Sequence, residues 1–473
     1  MTLSRRTVVS TAASTLAFSG LVASAQAQSA GNAPKTNETY INEVHGYGPL
    51  REDPFKVCDL PEGFRYQVIS QAGETMDDGM VVPHVYDGMA CFDLGDGKVA
   101  LVRNHELSPN HRNFGALGMH GRLLGKLDRS KVYDFETASG LPLMGSTTTQ
   151  VYDLKARKTV AQYLSLIGSV TNCAGGATPW GSWLTCEENT VKAGQGVGKD
   201  HGYAFEVPAA HKGLVDPVPL KAMGRFKREA VAIDPRTGIV YMTEDTSDSA
   251  FYRFLPNDRR HLHKGGKLQA LGLRDAPKGF ITSNQKADQW AQGDWKDAVW
   301  IDLDHPESPD DDLRLRTYKA GGAVFARGEG IHWGKDELYF CCTSGGKAGA
   351  GQIMRYVPSA HEGQVGEKDA PGRLQLFVES RNTQVMDYAD NLTIAPWGHL
   401  IICEDRYSDT LRNHLRGITP DGKVYTIARN VFRDNAEFAG ATFSPDGQTL
   451  FVNVQFPGFT LAITGPWGQF RAA

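Results

Sequence analysis

The run Asn172-Cys173-Ala174-Gly175-Gly176 leads through Thr178-Pro179-Trp180-Gly181 into Ser182-Trp183-Leu184-Thr185-Cys186-Glu187-Glu188-Asn189. Glycines let the backbone turn sharply beside Cys173, where a thiolate could meet a metal. Without a metal, Cys173 reads as a small buried hydrophobe. The segment after the turn reads as a strand and carries Glu187 and Glu188 to its far end. Successive strand side chains face opposite ways, so one glutamate is expected to face inward. Glu188 is the expected one, and Cys186 is expected to be buried packing.

Glu106, Glu229, Glu329, Glu404, Asp405 and Glu437 also sit at ends of strand-like segments. Any one of them alone would be a solvated surface acid. Brought together, they would repel unless cations neutralised them. Oxygen donors suit Ca²⁺ or Fe³⁺, and no H-E-x-x-H zinc motif is present. Arg327, two residues before Glu329, would share its side on an extended chain, and could clamp phosphate or simply balance the acids. No P-loop, dinucleotide fingerprint or Gly-x-Ser-x-Gly elbow occurs. Asp310-Asp311-Asp312 reads as a solvated loop.

Short strands such as Phe64–Ile69, Lys98–Val102, Ile239–Thr243, Leu400–Glu404 and Thr449–Val454 must position these residues. Turns such as Asp234–Gly238, Pro420–Gly422 and Pro445–Gly447 punctuate them. A strand–turn–strand unit ending in polar residues recurs at 89–106, 177–188, 229–245, 329–344, 391–405 and 437–455. The expectation is an all-β, six-bladed β-propeller with rim insertions at 107–145, 257–297 and 305–327 carrying short helices. A pair of β-sandwiches or a β-helix are the alternatives.

The chain has 473 residues, of which 41% are hydrophobic and 22% charged, enough for a large core and too apolar for disorder. A net charge of −4 gives no broad basic surface for nucleic acid. Seven cysteines are too few for a disulfide scaffold. Ser4-Arg5-Arg6-Thr7-Val8-Val9, an apolar stretch and Ala25-Gln26-Ala27 read as a twin-arginine signal peptide over 1–27. An N-terminal extension at 28–57 and a single propeller domain at 58–473 would follow. No later stretch is long enough to span a membrane. A soluble periplasmic protein, exported folded by the twin-arginine machinery, is expected; the sequence leaves the oligomeric state open, a monomer being slightly favoured.

These residues resemble the PhoX-type alkaline phosphatases. The resemblance rests on the signal and the Cys173-to-Glu188 block, which is its most specific part. It extends to Gly224-Arg225-Phe226 with Glu229, Glu244-Asp245, Arg327-Gly328-Glu329-Gly330, Cys403-Glu404-Asp405 and Phe451–Gln455. It implies a propeller with Fe³⁺ and Ca²⁺ in its channel. Cys173 would bridge two ferric ions, Glu188 and Glu229 would be metal ligands, Glu329 would bind calcium, and Arg327 would contact substrate phosphate. Asp405 or Glu404 would supply a last acid, while Glu106 and Glu437 are channel candidates on their position alone. The chain departs from the family's pattern by its shorter length, by Phe456 and by Arg228, the last two replacing histidines. The implied activity is hydrolysis of phosphate monoesters. Rival readings are a phosphodiesterase or phosphotriesterase on the same scaffold, a calcium-dependent lactonase, which would have no use for a thiolate, and a non-catalytic binding propeller, which would hold no stoichiometric iron.

Overall fold

The computed structural model describes residues 39–407, 411–432 and 436–472. The signal peptide and the first part of the extension lie outside the described residues. The rest is almost entirely antiparallel β-structure, with one short α-helix, Leu313–Lys319, and isolated 3-10 turns.

The six recurring units each begin with an inner strand: Tyr86–Gly95, Asn172–Ala177, Arg228–Ile233, Gly328–Trp333, Ala389–Ile394 and Phe438–Phe443. Each pairs with the next strand in sequence: Lys98–His105, Ser182–Glu187, Val240–Glu244, Leu338–Cys342, Leu400–Glu404 and Thr449–Val454, respectively. The inner strands neighbour one another in a closed circuit, the last returning to the first. The circuit is tied by Arg65–Gln71, which pairs with the near-C-terminal strand Phe459–Thr464.

The expected six-bladed propeller is corrected by the hydrogen bonding. The strands sort into five sheets, of six, three, nine, four and four strands, rather than six separate four-stranded blades. The nine-stranded sheet has a specific cause. The 257–297 segment, expected to be a rim insertion, instead contributes the strand Gly266–Leu273 and the start of Trp295–Leu303. Leu268–Leu273 pairs with the second half of Trp295–Leu303, while Trp295–Asp297 pairs with Arg373–Gln375 of the following unit. One strand thus joins two units that turn chemistry alone would separate. The six-stranded sheet is widened by Leu50–Arg51 and Cys58–Pro61. The 107–145 and 305–327 segments do carry short helical pieces, at Met119–Gly121, Leu124–Lys126, Arg129–Lys131 and Leu313–Lys319.

Apolar residues from facing sheets fill the spaces between them. One cluster joins Tyr47, Phe64, Tyr425 and Trp467, and another joins Tyr241, Phe251, Phe340 and Tyr356 across the two units merged in the nine-stranded sheet. Phe251 stacks on Phe340 with ring centroids 4.3 Å apart. This aromatic packing holds neighbouring units against each other and so fixes where the inner strands point.

Candidate metal centre

Each inner strand breaks register with its partner near its start. The residues left out of the ladder are 87–88, 173–174, 229–230, 329–330, 390–391 and 440–441, each pair facing one skipped partner residue. This is a β-bulge, a device that bends the strand and re-aims a side chain. Its repetition places Asp87, Cys173, Glu229, Glu329 and Asp390 at equivalent positions. The sixth bulge carries Gly440 and Ala441 and brings no ligand. Gly440 has φ +61°, and a Cβ there would stand 2.6 Å from the Asp87 carbonyl oxygen, so glycine is required.

The residue immediately after each second strand forms an outer tier: Glu106, Glu188, Asp245, Thr343, Asp405 and Gln455. Each donates its backbone N–H to a residue just before the bulge, two before it at Val85, Thr171, Lys227, Arg327 and Tyr388 and three before it at Glu437, at 2.9–3.1 Å. Four of these acceptors, Val85, Thr171, Arg327 and Tyr388, have positive φ. Arg327 is therefore not on extended backbone, as its spacing from Glu329 suggests. The turn nevertheless brings the two together: Arg327 Nη2 donates to Glu329 Oε1 at 2.7 Å, while Nε and Nη2 grip Asp245 at 2.8 Å each.

Among the described residues, three sets of donor atoms lie within 4.8 Å of one another: Asp87, Glu106 and Cys173; Cys173, Glu188 and Glu229; and Glu229, Glu329 and Asp390. Cys173 belongs to two sets, as does Glu229. The Cys173 thiol donates to Asp87 Oδ2 at 3.5 Å. Both carboxylate oxygens of Glu229 are buried with no hydrogen-bond partner among the described residues. An orphaned buried carboxylate is costly, and a cation is the partner its surroundings best accommodate. The donor set therefore fits metal ions.

The electrostatics agree. Burial, then Asp405 and Asp390, push Glu106 up to about 7. Burial and then Asp405 likewise push Asp390 up to about 7. Burial followed by neighbouring carboxylates drives Glu188, Glu229, Glu329 and Glu437 well above the usual range. Burial would lower the Arg327 pKa, but Glu329 and Asp245 hold it above its ordinary value.

The structure separates the remaining candidates. Glu188 faces the centre, while Glu187 turns outward and accepts from His201 Nδ1 at 2.6 Å and from the N–H groups of Gly202 and Tyr203. Cys186 is fully buried in apolar packing. Glu404 is drawn away in the same manner, holding Arg416 Nε at 2.7 Å and His414 Nδ1 at 2.9 Å. Asp405 and Glu437 stand beside the triads without belonging to one; Gln455 Nε2 bridges Glu437 Oε1 at 2.8 Å and Glu106 Oε2 at 3.0 Å. Asp87, Asp390 and Asp245 escape the sequence reading. Aligning the six inner strands on their first residue would have revealed the first two, since each occupies position two, as Cys173, Glu229 and Glu329 do.

Neither residue marked as a departure is a ligand. Arg228 is fully buried, donates to the carbonyls of Gly202, Met223 and Gly224 at 2.7–3.2 Å, and lies 4.1 Å over the Phe226 ring. Arg228→Ala would orphan those carbonyls and is expected to destabilise the fold by about 2–4 kcal/mol, read by urea denaturation. Phe456 is partly exposed beside His84, with ring centroids 6.5 Å apart.

Residues 45–458 match the family described as alkaline phosphatase PhoX. No curated protein matches the chain. Among solved structures it is similar to Pseudomonas fluorescens PhoX in complex with vanadate, a transition state analogue. The two are 19% identical over 87% of this chain and 97% of that one, with a TM-score of 0.62, which shows a shared fold. A gluconolactonase, XC5397 from Xanthomonas campestris, aligns over 89% of this chain and 98% of that one at 11% identity and a TM-score of 0.40, too remote to carry an argument. Because the family match spans most of the chain, and with it every bulge that lines the centre with acids and a thiol, this protein belongs to the alkaline phosphatase PhoX family and is a metal-dependent phosphatase of that kind.

Proposed function

We propose that the chain hydrolyses phosphate monoesters outside the cytoplasm, using ferric iron and calcium. The observation that carries this reading is Glu229, whose two unpartnered oxygens are shared between a set containing a thiol and a set made only of carboxylates. The Cys173–Glu188–Glu229 set has the softer donor that ferric iron accepts. The Glu229–Glu329–Asp390 set is all oxygen and suits calcium. When bound, such cations supply Lewis acidity and neutralise charge that builds on the phosphoryl oxygens.

The chain's own contribution is positioning. Asp245 and Glu329 engage Nε and Nη2 of Arg327 and fix the plane of the guanidinium. Nη1 takes no part in those bonds, which orients it for a phosphate oxygen. Arg327→Ala is expected to keep the metals and to lower kcat/KM about 100-fold; unchanged kinetics would remove Arg327 from the site. The acids of the two tiers are enclosed by packed sheets, so an ester reaching them exchanges water for fixed charges.

Ser4-Arg5-Arg6 lies outside the described residues, and export by the twin-arginine route rests on that motif. Arg5→Lys with Arg6→Lys is expected to leave uncut precursor in the cytoplasm, read by cell fractionation. The activity is tested by presenting a monoester, a diester and a triester of p-nitrophenol to the purified protein. Monoester turnover exceeding the other two supports the proposal; a preference for either of the others overturns it.

A further inference from the structure

Lys227 occupies in its unit the place Arg327 occupies in the next one. Its carbonyl accepts the Asp245 N–H at 3.1 Å, as the Arg327 carbonyl accepts the Thr343 N–H at 2.9 Å. It stands two residues before Glu229, as Arg327 stands two before Glu329. Lys227 lacks the positive φ of Arg327, and alternation at the strand start, with Arg228 turned away, sets its side chain on the side of Glu229. Between Lys227 and Glu229, Arg228 points the other way and is buried against Phe226 and three carbonyls.

The two cations differ in one respect. Arg327 is paired with Asp245 and Glu329. Lys227 is half-buried beside the acidic centre, and among the described residues its ammonium makes no ion pair within 4.0 Å. Both act on the same group. Glu188 is pushed up by burial, Asp245 and Glu106, and is drawn back down by Lys227 and then Arg327. Both positive charges therefore lie near enough to Glu188 to act on it.

We propose that Lys227 is a substrate-binding residue that completes a two-cation clamp with Arg327, and that this clamp favours the phosphate group of a monoester over that of a diester. The inference rests on the phosphatase reading above and deepens it. A monoester phosphate carries close to two negative charges near neutral pH and a diester carries one, so a second cation is worth more to the former. An ammonium with no fixed partner can swing to the phosphate without first breaking an ion pair, whereas the held guanidinium of Arg327 supplies direction.

The test compares wild type, Lys227→Gln and Lys227→Arg on p-nitrophenyl phosphate and bis-p-nitrophenyl phosphate, with inorganic phosphate as a competitive probe and metal content measured on each preparation. Lys227→Gln is expected to lose about 30-fold in monoester kcat/KM, mostly through KM, and to weaken phosphate inhibition by a similar factor. Its diester kcat/KM is expected to fall by less than about 3-fold, and Lys227→Arg to recover most of the monoester loss. Equal losses on the two substrates, no loss on either, or loss of metal from Lys227→Gln would each overturn the clamp. A wild-type protein that cleaves no monoester would instead overturn the phosphatase reading, so the two failures are distinguishable.

Discussion

Cys173→Ala is expected to purify without stoichiometric iron and to lose on the order of 10³-fold or more in phosphatase turnover. The thiol lies in two donor sets, so its removal opens both. Burial, followed by Asp87, Glu229 and other nearby acids, pushes the thiol well above its ordinary pKa. Without a cation it remains a protonated donor to Asp87, and the energetic benefit of its thiolate appears only with a bound metal. Elemental analysis reads the iron directly. A visible absorption band from thiolate-to-iron charge transfer should be present in wild type and absent in the variant. Because the side chain is small, chelator-treated wild type and variant should unfold within about 1 kcal/mol of each other. Full iron content with near-normal turnover would exclude Cys173 from the centre.

Glu229→Gln is expected to move stability in opposite directions with and without metal. In the metal-loaded protein it removes the carboxylate common to two donor sets, so metal content, activity and thermal stability should all fall. In chelator-treated protein it removes a buried, unpartnered acid surrounded by other acids, and stability at neutral pH should rise by about 1–2 kcal/mol. The same physics sets a pH dependence for the metal-free form. Glu106 is raised from 4.5 to about 7 and Asp390 from 3.8 to about 7 in the folded state. Between those limits the folded state holds more protons than the unfolded chain, so stability falls as pH rises from about 4 through about 7. Added metal should reverse the trend, because its ligands bind it best when deprotonated. Chemical denaturation across that range, with and without chelator, reads both signs. A Glu229→Gln protein less stable than wild type in the metal-free state would mean that the carboxylate is satisfied in some other way.

Much of this centre is readable from residues 172–189 and 327–330, where glycine, cysteine and acidic residues cluster tightly enough to mark a turn and a strand end. Glu188 is distinguishable from Glu187 by strand alternation, and the structure gives the complement: Glu187 holds His201 on the outer side. Asp405 and Glu404 could not be separated that way, because the deciding feature, the Arg416 and His414 partners of Glu404, comes from the next strand. Asp87 and Asp390 are hidden because each sits in an ordinary-looking strand start, Tyr86-Asp87-Gly88 and Ala389-Asp390-Asn391, and becomes a site residue only through a bulge. Turn residues cannot report the sheet count either. Ala298–Leu303 reads as a strand, but its extension back to Trp295, and which neighbours it pairs with, depend on length and twist, and it joins two units.

The most direct test of the account is the metal content of chromatographically pure protein, set against p-nitrophenyl phosphate turnover as the metal is removed by dialysis with chelator and restored. The account predicts iron and calcium at fixed ratios to protein, turnover that disappears as they leave, and turnover that returns when they are added back together. Phosphatase turnover that persists at full rate in protein stripped of both metals would contradict it.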